Sequence, residues 1–229
     1  MRGPTVPSKP PILPGYTYNG NTSRYRDLTT GRFVARQDIV TLLDQHVNAK
    51  EALLTRLTND LTAGEISPAT YIAQARQELK NLYLQNAALG AGGWDRLGPT
   101  DYGRIGGTIR DEYRRMAAMA QGVADGTVSD AQALSRLHMY MGNARSQFYA
   151  AERDRVQPSS PDMIVIERRQ LGEAEHCPSC VRYADQGWQP AGMLPLPGDE
   201  SECMSNCRCN LERREILGDE TESWIGTKR

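Results

Sequence analysis

No stretch of this chain approaches the roughly 20 consecutive apolar residues that span a bilayer. Behind Met1 and Arg2 there is no apolar segment of the secretory kind, only Pro4, Pro7, Pro10, Pro11 and Pro14. The first absence excludes a membrane-spanning helix, and the second leads to the expectation that no secretory signal is present. A charge excess is missing too: 27 basic side chains stand against 28 acidic ones over 229 residues, and the mean hydropathy is -0.58. Such a balance fits a soluble protein of about one to two domains with an ordinary core. Histidine is scarce, with only His46, His138 and His176 to act as bases. The H-E-x-x-H and G-x-S-x-G patterns do not occur, and no aspartate cluster has metal-ligand spacing. The glycine-rich residues 90 to 98 lack the Walker spacing and its Lys-Ser/Thr ending. The expectation is therefore a protein that is not an enzyme. Cysteine is absent from the first 176 positions, which concentrates attention on the last quarter of the chain.

What is present is unevenly distributed. Residues 1–36 hold six basic side chains and one acid, and five of the 13 prolines lie in the first fourteen positions. Proline fixes φ and lacks an amide donor, so this segment is expected to be an extended basic arm, lying along a neighbouring subunit or nucleic acid, with a disordered tail as the alternative. From residue 37 to 156 the periodicity is helical. Ile39, Leu43, Val47, Leu54, Leu57 and Leu61 mark a first helix, and Ser67-Pro68 opens a second that ends near Gly90. Thr100 or Asp101 is expected to cap a third, and Ser129 with Gln132 forms a capping box for a fourth. The turns Leu61 to Ser67 and Val123 to Ser129 share their chemistry at an offset of 62, which suggests two helical hairpins. Gly106 and Gly107, inside the third helix, are expected to mark close packing or a kink, and Trp94 a packing anchor.

Residues 162–216 read as a separate small module, followed by a tail at 217–229. Met163 to Arg168 has strand-like composition. All five cysteines, Cys177, Cys180, Cys203, Cys207 and Cys209, fall within 33 residues. A C-x-x-C turn directs two thiolates at one ion, and a second knuckle some twenty residues on completes a tetrahedral sulfur site, as in zinc ribbons. The expected cofactor is one structural zinc held by four of the five, with Cys177, Cys180 and Cys207 joined by Cys203 or Cys209, and with His176 as a further candidate. Two alternatives for the thiols are a disulfide framework and a reactive thiol. Arg168, Arg169, Arg182, Arg208, Arg213 and Arg214 surround the module, so a zinc-ribbon nucleic-acid-binding protein is the alternative function, with a thiol-dependent enzyme third. The expected fold class is mainly α: two helical hairpins forming a helical body, an extended N-terminal arm and a small C-terminal α+β zinc-ribbon-like module.

The string His176-Cys177-Pro178-Ser179-Cys180, then Gly187-Trp188, Leu194-Pro195-Leu196-Pro197-Gly198, Cys203 and Asn206-Cys207-Arg208-Cys209 resembles the C-terminal motif of phage minor head (head morphogenesis) proteins of the Mu F-like kind. That motif carries a histidine just before its Asn-Cys-Arg-Cys, where this chain offers Cys203 one position further back. The resemblance covers about 40 residues specifically and the helical part loosely. It implies a structural protein of a tailed-phage virion, made in the host cytoplasm and placed in the head or at the head-tail junction near the portal vertex. The implied partners are capsid and portal or neck subunits in a symmetric assembly, with packaged DNA as a contact of the basic arm and no membrane.

Overall fold

The fold, taken from a computed structural model, is described for residues 12–156, 158–172, 175–203 and 207–228. Four long helices form the body: α1 (Arg36–Thr62), α2 (Pro68–Ala91), α3 (Pro99–Ala124) and α4 (Asp130–Arg153). Their caps follow from the sequence. Ser67 Oγ accepts the Thr70 amide at 3.1 Å, and Ser129 exchanges bonds with Gln132 in both directions. The α3 cap differs from expectation: Gly98 occupies it, and Asp101, one turn in, accepts the Gly98 amide at 2.8 Å. Pro99 explains the shift, because proline is best placed at the first helical position.

The two interhelix turns are the same structure repeated. Ala63, Gly64 and Glu65 donate to Asn59, Leu61 and Asp60 at 2.8, 3.0 and 2.8 Å, while Asp125, Gly126 and Thr127 donate to Gln121, Val123 and Gly122 at 2.9, 3.0 and 2.8 Å. Gly64 and Gly126 take φ of 74° and 68°, the left-handed conformation that closes such a turn. The hairpins pack through one core that includes Leu43 and Leu54 of α1, Tyr71, Leu79 and Tyr83 of α2, Met116 of α3, and Leu137 and Phe148 of α4. Trp94 packs against this core, as expected.

Helices α2 and α4 make the closest approach, and a glycine permits it. A Cβ on Gly90 would sit 2.1 Å from the Phe148 carbonyl oxygen, whereas a Cβ on Gly106 or Gly107 would meet nothing within 4 Å. The close-packing expectation for Gly106 and Gly107 is thus corrected: they face open space, and the tight contact belongs to Gly90. Gly106→Ala and Gly107→Ala should each stabilise the protein by about 1 kcal/mol, the helix-propensity difference. Gly90→Ala should destabilise it by about 3 kcal/mol through overpacking. Thermal unfolding of the three variants checks both signs.

Residues 1–11, with most of the arm's prolines, lie outside the described residues. Beyond them, the stretch expected as extended arm pairs with itself and folds onto the body: β1 (Tyr16–Asn19) and β2 (Arg24–Asp27) form an antiparallel hairpin with Tyr18 opposite Tyr25. Tyr25 is buried and its hydroxyl donates to the Leu89 carbonyl at 2.7 Å. Tyr18 lies where a Cβ on Gly92 would be, with the Arg96 guanidinium over its ring. Two tyrosines therefore anchor the hairpin to the C-terminal end of α2.

The C-terminal module is a three-stranded antiparallel sheet in the order β4-β3-β5, built from β3 (Met163–Gln170), β4 (Gln189–Pro190) and β5 (Asn210–Leu217), with α5 (Pro178–Asp185) beside it. Its apolar centre is Ile166, Trp188 and Ile216. The segment read as a tail completes it: α6 (Thr221–Trp224) stands Trp224 edge-on to Trp188 at 6.1 Å, and the Trp188 amide donates to the Thr227 carbonyl at 3.0 Å. Among the described residues no helix is long and apolar enough to cross a membrane.

Candidate metal centre

The C-x-x-C segment is positioned by a helix start. Cys177 is the N-cap of α5, Pro178 occupies its first turn, and Cys180 follows three residues after the cap, so both sulfurs face the same side. The second knuckle is brought over by hydrogen bonds. Ser179 Oγ accepts the Glu202 amide at 2.9 Å and the Tyr183 hydroxyl donates to the Glu200 carbonyl at 2.8 Å. Cys207 and Cys209 arrive on the segment that leads into β5, and Asn206, the first residue of the Asn-Cys-Arg-Cys string, lies outside the described residues.

All five expected cysteines converge. Their sulfurs form two triangles that share Cys180: Cys177, Cys180 and Cys203 in one, Cys180, Cys207 and Cys209 in the other, each with all separations within 4.8 Å. Cys180 Sγ is 3.5 Å from Cys203 Sγ and 3.7 Å from Cys207 Sγ, and all five are free thiols. A tetrahedron with zinc-sulfur bonds of about 2.3 Å has sulfur-sulfur edges of about 3.8 Å. Within each triangle the spacings suit thiolates that share one ion, with Cys203 in one triangle and Cys209 in the other; among the described residues no four sulfurs lie mutually within 4.8 Å, so a tetrahedral set requires the two triangles to draw together. His176 stands at the edge, with Nδ1 3.7 Å from Cys209 Sγ and Nε2 2.8 Å from the Gly172 carbonyl. His46 lies in α1 and His138 in α4, where His138 Nδ1 meets Glu51 at 2.6 Å.

The thiols do not titrate alike. At Cys207 a hydrogen bond from the Cys209 thiol, opposed by burial and helped by Arg169, draws the pKa down to about 4. Burial opposes the shift at Cys177 as well, but hydrogen bonding from Ser179 and its neighbours brings it down to about 6. Burial and the Cys207 charge push Cys180 up, burial raises Cys203, and the bond it gives to Cys207 raises Cys209. Crowded thiols of this kind ionise together only when a cation shares them, which makes metal uptake release protons.

The surroundings are cationic. Arg169 is buried at 2% exposure, and its Nε and Nη1 have no hydrogen-bond partner, while Nη2 donates to the Pro195 carbonyl at 2.6 Å. Arg145 of α4, equally buried, donates to Asp44 at 2.7 Å and to the Cys209 carbonyl at 3.2 Å. Orphaned guanidinium N–H groups beside Cys207 suit a centre whose four thiolates outweigh a divalent ion by two negative charges.

A charged seam joins this module to the body. Glu152 of α4 accepts two bonds from Arg36, both at 2.7 Å, and one from Arg213 of β5 at 2.6 Å. Glu167 of β3, fully buried, accepts from Arg153 at 2.8 Å and from Arg213 at 3.3 Å. Sequence reasoning counted Arg169, Arg213 and Glu167 as surface charge and did not single out Arg145 or Glu152. One signal was available: Arg145, Glu152 and Arg153 continue the core-facing half of α4, where Met141, Ala144 and Phe148 are apolar. Compared with protein-family models, with curated proteins and with solved structures, the chain matches none of them.

Proposed function

We propose that this chain is a structural protein of a tailed-phage virion, a minor head or portal-vertex component, whose C-terminal module is clipped into shape by one zinc ion held by four of its five cysteines. The convergence of the five sulfurs on Cys180, as two triads each close enough to share one ion, supports the zinc part. The likeness of Cys177 to Cys209 to the Mu F-like motif carries the virion part. The zinc supplies folding energy to a module whose apolar centre is only three buried residues, and the helical body and hairpin present the surfaces for capsid, portal or neck subunits.

The nucleic-acid reading has less support, because four of the six arginines that suggested it are engaged within the protein, leaving Arg182 and Arg208 exposed. Arg169 is buried, the Arg213 side chain is only 7% exposed, Arg168 pairs with Glu212 at 2.8 Å, and the Arg214 guanidinium lies against the Trp188 and Trp224 rings. Quantitative mass spectrometry of banded particles from the source of this chain tests the virion role; the chain should copurify with heads at a fixed, low copy number. Its absence from particles overturns the role. Duplex DNA binding that drops roughly a thousandfold between 50 and 200 mM salt would favour the nucleic-acid alternative instead.

A further inference from the structure

Three acids enclosed by this fold each meet two arginines: Asp101 pairs with Arg104 and Arg155, Glu152 with Arg36 and Arg213, and Glu167 with Arg153 and Arg213. Glu112 of α3 is buried at 1% exposure, and among the described residues no cation forms an ion pair with it. Its partners are uncharged. Tyr83 of α2 donates its hydroxyl to Glu112 Oε1 at 2.6 Å, and Asn143 of α4 donates Nδ2 to the same oxygen at 2.8 Å. Glu112 Oε2 is buried with no hydrogen-bond partner.

Two donors on one oxygen and none on the other suit a carboxylic acid, with Oε1 as its carbonyl and Oε2 as its hydroxyl. An ionised Glu112 would hold an unpaired charge in the core, and a buried group in that position takes up a proton instead. Tyr140, one turn before Asn143 on α4, brings a second buried hydroxyl without a partner, and burial together with the Glu112 charge pushes it up to about 12. Tyr83 is likewise held neutral, by burial and then by Glu112. Arg115, on the same helix, is exposed, and its pull on Glu112 is outweighed by burial. Of the other groups at this level, Arg76 of α2 lies over Tyr113, Arg136 of α4 acts on Tyr140, and on the α1 side Thr58 and Tyr71 form a neutral pair at 3.3 Å. Burial, opposed by the Tyr83 and Asn143 bonds, brings the Glu112 carboxyl up to about 7.

We infer that Glu112 is a proton-binding site of the helical body: it is a neutral carboxylic acid while α3 lies against α2 and α4, and loss of that proton loosens α3. The two bonds to Oε1 tie α3 to both neighbours at one point, so the charge state of this single group acts on both contacts. On its outer side α3 has room to give, since a Cβ on Gly103, Gly106 or Gly107 would meet nothing within 4 Å. A raised carboxyl contributes stability that is complete below the unfolded-state value of 4.5 and is lost as pH rises through the folded-state value. That is the opposite direction to Glu152, whose carboxyl is held low by its two arginines. The body is therefore held closed most firmly under mildly acidic conditions and relaxes as the pH passes neutrality.

The test is urea unfolding of the full chain and of Glu112→Gln at several pH values from about 5.5 to about 8.5. The glutamine keeps an acceptor for Tyr83 and Asn143 and cannot ionise. Relative to it, the wild type should lose on the order of thirtyfold in its folding equilibrium constant over that range. Groups elsewhere that titrate in this window, His46 and Cys177 among them, are common to both chains and drop out of the comparison. Hydrogen exchange of the α3 amides should quicken in the wild type over the same range when measured against the variant. Carbon-13 NMR of the glutamate carboxyls gives a reading that does not depend on how well the variant folds: one carboxyl should titrate near pH 7, and Tyr83→Phe should move it higher by removing a donor to the charged form. A difference between the two chains that stays constant with pH, or glutamate carboxyls that all titrate below about pH 5, would overturn the assignment.

Discussion

Cys180→Ser should reduce bound zinc from about one per chain to less than a tenth, because Cys180 is the sulfur common to both triangles and its loss leaves only the separate pairs Cys177–Cys203 and Cys207–Cys209. Structural zinc contributes on the order of 10 kcal/mol to small modules of this kind. The loss should therefore unfold residues 175–209 while leaving the helical body intact, since the body's core is separate from the three-residue apolar centre of the module. Limited proteolysis should cut the variant near the cysteines, and circular dichroism should show most of the helix retained. Cys203→Ser and Cys209→Ser, made singly, divide the fourth position between them: the variant that keeps its zinc identifies the spare thiol. A Cys180→Ser protein that still holds a full zinc equivalent and resists protease would contradict the shared role of this residue.

Glu152→Ala should destabilise the protein by about 3–5 kcal/mol, the cost of leaving buried cations without their counter-charge. Arg36 and Arg213 both lose their main acceptor, and they are the residues that tie α1 and β5 to α4. Burial alone would raise the Glu152 carboxyl, but Arg36 and Arg213 outweigh it and hold it below its ordinary value of 4.5. A depressed carboxyl contributes stability that is complete above the unfolded-state value and is lost as pH falls through the folded-state value. The gap between wild type and Glu152→Ala in urea unfolding should accordingly be full at pH 7 and shrink once the pH falls below the ordinary carboxyl value of 4.5. A gap under 1 kcal/mol at neutral pH would mean that the seam behaves like a surface ion pair.

The helical body was legible because its signals are local. A serine with a partner three residues on, a proline in the first turn and a glycine after the last turn each act within a few residues, so the end of α1, both ends of α2 and the start of α4 fall where these residues place them. The five cysteines were legible for the same reason, since a C-x-x-C turn brings its own sulfurs together. What could not be read depends on distant chain segments meeting. The β1-β2 hairpin had a local signal in Asn19-Gly20, where Asn19 caps the turn by accepting the amides of Asn21 and Thr22, but its place on α2 rests on Tyr25 reaching Leu89. Gly90 looked like a helix terminator but serves a helix crossing, a role visible only once Phe148 is beside it. Trp224 read as part of a tail because its partner, Trp188, is 36 positions away in sequence. The arginines around the cysteines read as a basic surface, yet burial and pairing with Glu152 and Glu167 make Arg213 part of the structural seam.

Metal analysis of the purified full chain, with thiol titration before and after chelation, is the most direct measurement. The zinc-clipped module predicts about one zinc per chain, few thiols reactive at first and most of the five released when chelator removes the ion. No bound metal, with every thiol reacting at once or already oxidised, would contradict it.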